Sequence, residues 1–436
     1  MPNGLYLYLN PNNSSLIVEI VDNCKVTTLS NGVKIVSEFI PYLKSFSLGF
    51  WFNVGARDEV ARNNGISHFI EHMLFKGTKT RTAKQISDSI ESYGGYLNAF
   101  TSKEHTCYYG RGLSENFNKT FVVLADMIQN PLFKSSHIKK EAGVVIDELK
   151  DIDDNPEELI FDKFEESIFN GHSLSQPIIG NEKNLLSFNS NILHQFHKTN
   201  YRLDNLMIAV SGAIEHDVAV KLAEKYLIGK KSSSIQKRKS FFKRSVGDVI
   251  IEKEIQQVHS IIGRTTYGFN DSRRHKLKVL STLLGDGSSS RLFQAVREKL
   301  GMTYQINTFL NSYQDVSVFG VYYSTNEKQA GRVSEIVHRE FSKLIKEEVK
   351  PKELKRVKEY IKGNTLMSLE NTTNRMIRLA NSIYHYGKII PIENILNKID
   401  SVTSDDLQKL ALEVLDETTL SKIIIQSKNN TIKKAA

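Results

Sequence analysis

Five consecutive residues, His68-Phe-Ile-Glu-His72, are the part of this 436-residue chain whose types and spacing most plainly could do chemistry. On a helix, residues four apart share a face, so both imidazoles can reach one metal ion. Glu71 falls three residues after His68 and one before His72, at the edge of that face. From there it can take a proton from a water on the metal without binding the metal itself. Phe69, Ile70, Met73 and Leu74 supply an apolar backing that would bury the helix. The chemistry of such a set is metal-assisted hydrolysis. A catalytic zinc takes three protein ligands and keeps one position open. Glu141 and Glu148, seven residues apart within KKEAGVVIDELKD and so on one helical face, are both candidates for the third, with Val144, Val145 and Leu149 as a buried stripe alongside. A five-residue match also arises by accident, so the weight falls on its surroundings.

The elements that must position these residues read as sheet and helix in alternation. Val26 to Ser37 is a hairpin around Asn31-Gly32. Phe46, Leu48, Phe50 and Phe52 alternate with small or polar residues, as in a half-buried strand. Ile86, Ile90 and Tyr93 recur at helical spacing and end at Gly94-Gly95, followed by strands from Tyr96 to Phe100 and His105 to Leu113. Helices then dominate to Tyr201, before a strand at Leu206–Val210 and a helix at Val218–Tyr226. The Ser/Lys-rich, aperiodic stretch Lys230 to Arg244 reads as a linker.

Beyond it the order of elements recurs. Gly94 pairs with Gly301, Pro131 with Pro351 and Leu186 with Leu396, at offsets of 207, 220 and 210. Three matches in order predict a duplicated α+β unit, each copy a mainly antiparallel sheet with helices on one side. The expected domains are residues 24–229, carrying the metal motif, and residues 246–430, with residues 230–245 joining them. The second has no His-x-x-Glu-His; His275 stands alone there and is expected to face solvent.

Several long motifs, in order and spread from Lys25 over nearly the whole chain, resemble one family. They are VGARDE (Val54–Glu59), GISHFIEHMLFKGTKTRTA (Gly65–Ala83), GGYLNAFTSKEHTCYY (Gly94–Tyr109) and GDGSSSRLFQAVREKLGMTY (Gly285–Tyr304). Together with Glu148, 76 residues beyond His72, they are similar to the pitrilysin-type zinc peptidases with the inverted HxxEH signature, and more narrowly to the mitochondrial processing peptidase branch. That resemblance implies a clamshell of two facing domains and one zinc ion per chain. His68, His72 and Glu148 match its ligands, Glu71 its general base, and Glu141 a carboxylate just behind the site. Asn98 and Ala99 match an edge strand that holds peptide by β-augmentation, and Phe75 matches a phenylalanine that lines the pocket just after the scissile bond. Arg297 and Tyr304 match a pair that reaches the bound peptide, and could donate to the oxyanion. Glu158 and Asp162 match acidic positions that hold an arginine two residues before the cut. The family's chains pair, as homodimers or with a related subunit, and some relatives keep the fold as inactive structural subunits.

Bulk properties narrow the alternatives. With 58 basic and 49 acidic residues the net charge is +9, but the lysines are spread, as on solvated faces, and no nucleic-acid motif collects them. No apolar run approaches the roughly 18 residues of a membrane span. Met1 to Asn23 has no basic residue ahead of its short apolar stretches, which argues against a secretory signal. Two cysteines, Cys24 and Cys107, exclude a thiolate zinc site and suit a reducing, cytoplasmic setting; Cys107 reads as a small buried strand residue.

Overall fold

The computed structural model describes residues 19–21, 23–230, 238–241 and 247–428. Of the stretch expected as a linker, residues 231–237 and 242–246 therefore lie outside the described residues. Along the chain come β1 (Glu19–Val21), β2 (Cys24–Thr28), β3 (Lys34–Phe39), β4 (Ser45–Phe52), α1 (Ile66–Leu74), α2 (Ala83–Glu91), β5 (Tyr96–Thr101) and β6 (Thr106–Leu113). A helical run follows: α3 (Phe117–Gln129), α4 (Ser135–Asp154), α5 (Pro156–Ile168), α6 (Glu182–Ser187) and α7 (Ser190–Asn200), then β7 (Leu206–Gly212) and α8 (His216–Tyr226). The second half has β8 (Val249–Glu252), β9 (Val258–Tyr267), α9 (Arg274–Gly285), β10 (Thr303–Ser312) and β11 (Val316–Thr325). It closes with α10 (Glu327–Lys346), α11 (Pro351–Ser368), α12 (Thr372–Tyr386), α13 (Ile392–Asp400), α14 (Ser404–Val414) and β12 (Ser421–Gln426).

These elements build two sheets, ordered β1-β2-β3-β7-β4-β6-β5 and β10-β11-β9-β12-β8. The fold is mixed α+β, and the duplication is visible strand by strand. In the first sheet β3 and β7 run parallel, while β7/β4, β4/β6 and β6/β5 are antiparallel. In the second, β8 and β12 run parallel, and β12/β9, β9/β11 and β11/β10 are antiparallel. A parallel pair requires a long crossover, which the intervening helices supply.

Side-chain alternation on β4 shows how each face is covered. Phe46 and Phe50 point to α3, where they meet Phe117 and Phe121 edge-on. Ser47 and Trp51 point the other way, to Thr372, Thr373 and Met376 of α12. Gly49 lies on that second face, where a Cβ would come within 2.6 Å of the Met376 sulfur. One helix thus crosses the face opposite the main helical layer. The second sheet repeats the device: Ile262, Phe319 and Val321 pack with α9, α10 and α14, whereas Ile261, Val318 and Tyr322 pack with Leu159, Ile160 and Phe164 of α5.

Two compact units result, and their chain segments interleave. One takes residues up to Leu149, Gln176–Arg238 and Ser368–Pro391, and the other takes Lys150–Ser175, Lys239–Met367 and the chain from Ile392. The covering helix of each sheet is thus drawn from the other half of the sequence. Among the described residues no helix is long and apolar enough to cross a membrane.

Two expectations are corrected. His275 is buried on α9, and burial drives its pKa down to about 4, because the first helical turn turns inward against the core rather than outward. On α4 the inward stripe is Ile138, Ala142, Val145 and Ile146, while Val144 is exposed. At about 100° per residue, Val144 stands about 160° around the helix from both Ala142 and Ile146, and so falls on the outer side. Cys107 is buried as expected, and Cys24 with it, neither of them in a disulfide.

Candidate metal centre

Helix α1 is held at its start by a set of contacts that fix where its side chains point. Gly65 precedes it with φ +97°, a left-handed conformation suited to glycine. A Cβ there would lie 2.7 Å from the Ile179 carbonyl and 2.8 Å from the Gly180 Cα, so the two chains cross glycine on glycine. The buried Glu59 carboxylate caps the first turn: Gly65 and Ser67 donate their backbone N–H groups to it at 2.8 Å each, and the Asn64 side chain donates at 2.9 Å. Carboxylates suit helix N-termini because the unpaired N–H groups there carry partial positive charge. Burial pushes the Glu59 pKa up to about 7 against the pull of those donors.

From this fixed start, His68 and His72 project together from α1, their ring centroids 4.6 Å apart. Helix α4 brings Glu148 to them. Its carboxylate oxygens lie 3.7 Å from His68 Nε2 and 3.6 Å from His72 Nε2. Those distances are too long for hydrogen bonds. Two ligands each about 2.1 Å from one tetrahedral ion would stand about 3.4 Å apart, a little under the 3.6 and 3.7 Å seen. The three ligand atoms all lie within 4.8 Å of one another, the one such group of three or more His, Cys, Asp or Glu side chains among the described residues. Two nitrogens and a carboxylate oxygen are the donors zinc takes.

The next ring of residues orients this set. His72 Nδ1 is 3.0 Å from Glu141 Oε1, and Lys76 Nζ is 2.8 Å from Glu141 Oε2. His68 and His72 on α1, and Lys76 just beyond its end, thus face Glu148 and Glu141 on α4. Burial works against a charge on Glu141, but the hydrogen bonds from His72 and Lys76 outweigh it and hold its pKa below the usual carboxylate value. Burial likewise opposes a charged His72, yet Glu141, Glu148 and Glu71 together raise its pKa. His68 goes the other way, down to about 4, through burial and the neighbouring His72. A neutral imidazole with its lone pair free is the form that binds a metal.

Glu71 is placed by the sheet. The Thr101 hydroxyl at the end of β5 donates to Glu71 Oε2 at 2.5 Å. Burial, the largest influence, and the nearby Glu148 raise the Glu71 pKa despite that hydrogen bond. A carboxylate tuned upward towards neutrality is suited to exchanging protons.

β5 is an edge strand, paired on one side only among the described residues, with Asn98 opposite Tyr109 and Ala99 opposite Tyr108 of β6. Asn98 donates to the Tyr96 hydroxyl at 2.7 Å. Phe75 follows α1 directly and is half-buried. The structure therefore gathers His68, Glu71, His72, Glu141 and Glu148 into one cluster, with β5 alongside through Thr101. Arg297, Tyr304, Glu158 and Asp162 belong to the other compact unit. There Arg297 and Tyr304 are neighbours, the guanidinium carbon 4.9 Å from the ring centroid. Glu158 accepts from the side chain of the α5 cap residue Asn155 at 2.9 Å, and Asp162 lies one turn further along α5.

Thr101, Lys76 and Glu59 were not singled out from the sequence. Each sits inside a motif already noticed, Thr101 in NAFTSKEHT, Lys76 in HMLFKGT and Glu59 in VGARDE. Their roles depend on partners brought up by tertiary structure, which spacing alone does not reveal.

Comparison with known proteins identifies the family. The model of the insulinase family, peptidase family M16, matches residues 34–182, and that of the M16 inactive domain matches residues 187–361. An uncharacterized zinc protease of Rickettsia felis is 36% identical over 407 residues, covering 92% of this chain and 98% of that one. Another, from Bacillus subtilis, is 36% identical over 406 residues with the same coverage. Among solved structures, a protease from Helicobacter pylori superposes with a TM-score of 0.87 at 22% identity, over 93% of this chain and all (100%) of that one. A peptidase M16 inactive domain from Pseudomonas fluorescens gives 0.84 at 17% identity, over 93% and 98%. At such identities these two speak for the fold.

Proposed function

This chain belongs to the insulinase family, peptidase family M16, and from that membership we propose that it is a zinc endopeptidase of the inverted-motif kind that cuts extended or unfolded peptides, in the manner of the processing-peptidase branch. The observation that carries the reading is the meeting of His68, His72 and Glu148 at co-ligand spacing, with Glu71 beside them and hydrogen-bonded to Thr101.

In this reading His68 and His72, through their Nε2 atoms, and Glu148 hold one zinc ion. When bound, zinc would supply Lewis acidity, which lowers the pKa of a water to about 7 and polarises a carbonyl oxygen. Glu71 takes a proton from the attacking water on the oxygen that Thr101 leaves free, and returns it to the leaving amine. Glu141 accepts the Nδ1 proton of His72 and so fixes which ring nitrogen faces the centre. An extended peptide adds to the open edge of β5 at Asn98 and Ala99, and its residue just after the cut enters a pocket with Phe75. Arg297 and Tyr304 contact the peptide from the second half. Glu158 and Asp162 take a basic side chain two residues before the cut. The catalytic domain is read as residues 24–229 and the metal-free one as residues 246–430. The chains would act as homodimers or with a related subunit, in the reducing cytoplasm that two buried cysteines outside any disulfide suit.

Cleavage-site profiling of a random peptide library with the zinc-loaded chain tests this. Internal cuts are expected, with a bulky apolar residue just after the bond and Arg or Lys enriched two residues before it. No cleavage of any member overturns the endopeptidase reading. Cleavage without the basic preference overturns only the role given to Glu158 and Asp162.

A further inference from the structure

The side chain of Arg297 has an unusual setting. It lies on a π-helical turn, Phe293–Glu298, where the Lys299 N–H reaches back to the Gln294 carbonyl at 3.2 Å. Such wide turns are rare, and they concentrate at functional sites. Among the described residues its guanidinium has neither an ion pair nor a side-chain hydrogen bond. What it has is two rings: its central carbon lies 4.9 Å from the centroid of Phe293 and 4.9 Å from that of Tyr304. Tyr304 is 78% exposed, so its ring is not there to fill the core, and Phe293 lies outside the buried cluster that its neighbours Leu292 and Val296 join.

We infer that Phe293 is a positioning residue for Arg297, holding the guanidinium over its ring so that the N–H donors are presented, ready oriented, to a carbonyl or carboxylate oxygen of bound peptide. The negative face of an aromatic ring attracts a guanidinium without using up its N–H groups. A carboxylate partner would hold the arginine as well but would occupy those donors. Ring stacking therefore gives order at no loss of binding capacity, and lowers the side-chain entropy lost when peptide arrives. The inference rests on the reading of Arg297 as a peptide contact.

Two measurements test it. In the zinc-loaded Glu71→Gln chain, which should bind peptide without cutting it, Phe293→Leu keeps bulk and removes the ring. It is expected to weaken peptide binding about two- to fivefold, the scale of an exposed cation–π contact. In an Arg297→Ala background the same change should cost nothing, and Phe293→Tyr should behave as wild type. The second measurement is the NMR order parameter of the Arg297 Nε–H in the full chain, expected to fall in Phe293→Leu and not in Phe293→Tyr. Equal weakening with and without Arg297, or an unchanged order parameter, overturns the inference. If wild type cuts no peptide and the Glu71→Gln chain binds none, the peptidase reading fails, and the order parameter alone still decides what Phe293 does.

Discussion

Glu141 and Glu148 sit two turns apart on one helix yet meet the histidines differently. Glu148 faces the Nε2 atoms of both rings, while Glu141 touches only the far nitrogen of His72. Removing one ligand should therefore differ from removing a partner behind the ligand. Glu148→Gln is expected to raise the zinc dissociation constant by more than about 100-fold. Glu141→Gln should stay within the about 10- to 100-fold range typical of residues that support a ligand, and should show more in turnover than in binding. Competition with a chelator measures both, and a result in which only the Glu141 change strips the metal would reverse the assignment. From the residues alone both acids were open candidates, because both lie on the same helical face. The two histidines and Glu71 were legible directly, since helical periodicity is local. Lys76 was not, because its importance comes from Glu141, which lies 65 residues further along.

The helix that presents the histidines depends on how it begins. Gly65→Ala would put a Cβ against Ile179 and Gly180 at a positive φ, costing about 1–3 kcal/mol for the backbone strain before any clash is counted. Its thermal midpoint should fall, and its zinc affinity with it; an unchanged midpoint would show that the crossing is not tight. Helix α8 makes a second dependence testable. His216, its first residue, is buried with Nε2 2.8 Å from Thr27 Oγ1 and Nδ1 2.7 Å from Ser37 Oγ, and burial lowers its pKa to about 4. An unfolded chain takes up that proton near pH 6.5, before the folded chain does. The stabilising contribution is therefore whole above about pH 6.5 and is lost as pH falls towards 4. Urea midpoints should decline across that window, and His216→Asn should flatten part of the decline. An identical slope in the variant would place the acid sensitivity elsewhere. At this scale the sequence was most readable: the Asn31-Gly32 hairpin and the α2 stop at Gly94-Gly95 appear, and β4 is a strand, although α3 and α12 bury it on both faces where the alternation suggested a half-buried one. The inward turn of His275 was not readable, since a lone histidine in a basic run carries no periodic signal.

For the whole chain, duplication was legible from three ordered matches, but the exchange of covering helices was not. Nothing local in α5 or α12 says which sheet it will cover. Trp51, Cys107, Met207 and Ala209 of the first sheet are buried together with Met376, Leu379, Ala380 and Ile383 of α12. A fragment ending at Lys230 therefore bares that face, and removal of several fully buried large side chains from their partners costs about 1.5–3 kcal/mol each. Such a fragment is expected to show no cooperative calorimetric transition and to bind a hydrophobic dye. Fusing Ser368–Pro391 to its end should restore cooperativity. Cooperative unfolding of the unfused fragment would contradict the exchange.

The proposed peptidase activity depends on one claim, that Glu71 moves the proton at a centre held by His68, His72 and Glu148. The most direct test is zinc content and peptide turnover measured on the same preparation of Glu71→Gln. The amide fills the carboxylate's space but cannot accept a proton. The expected result is one zinc per chain, as in the wild type, with turnover lower by about 100-fold to 10,000-fold, the usual scale for a general base. Turnover close to wild type in the zinc-bound variant would contradict the account.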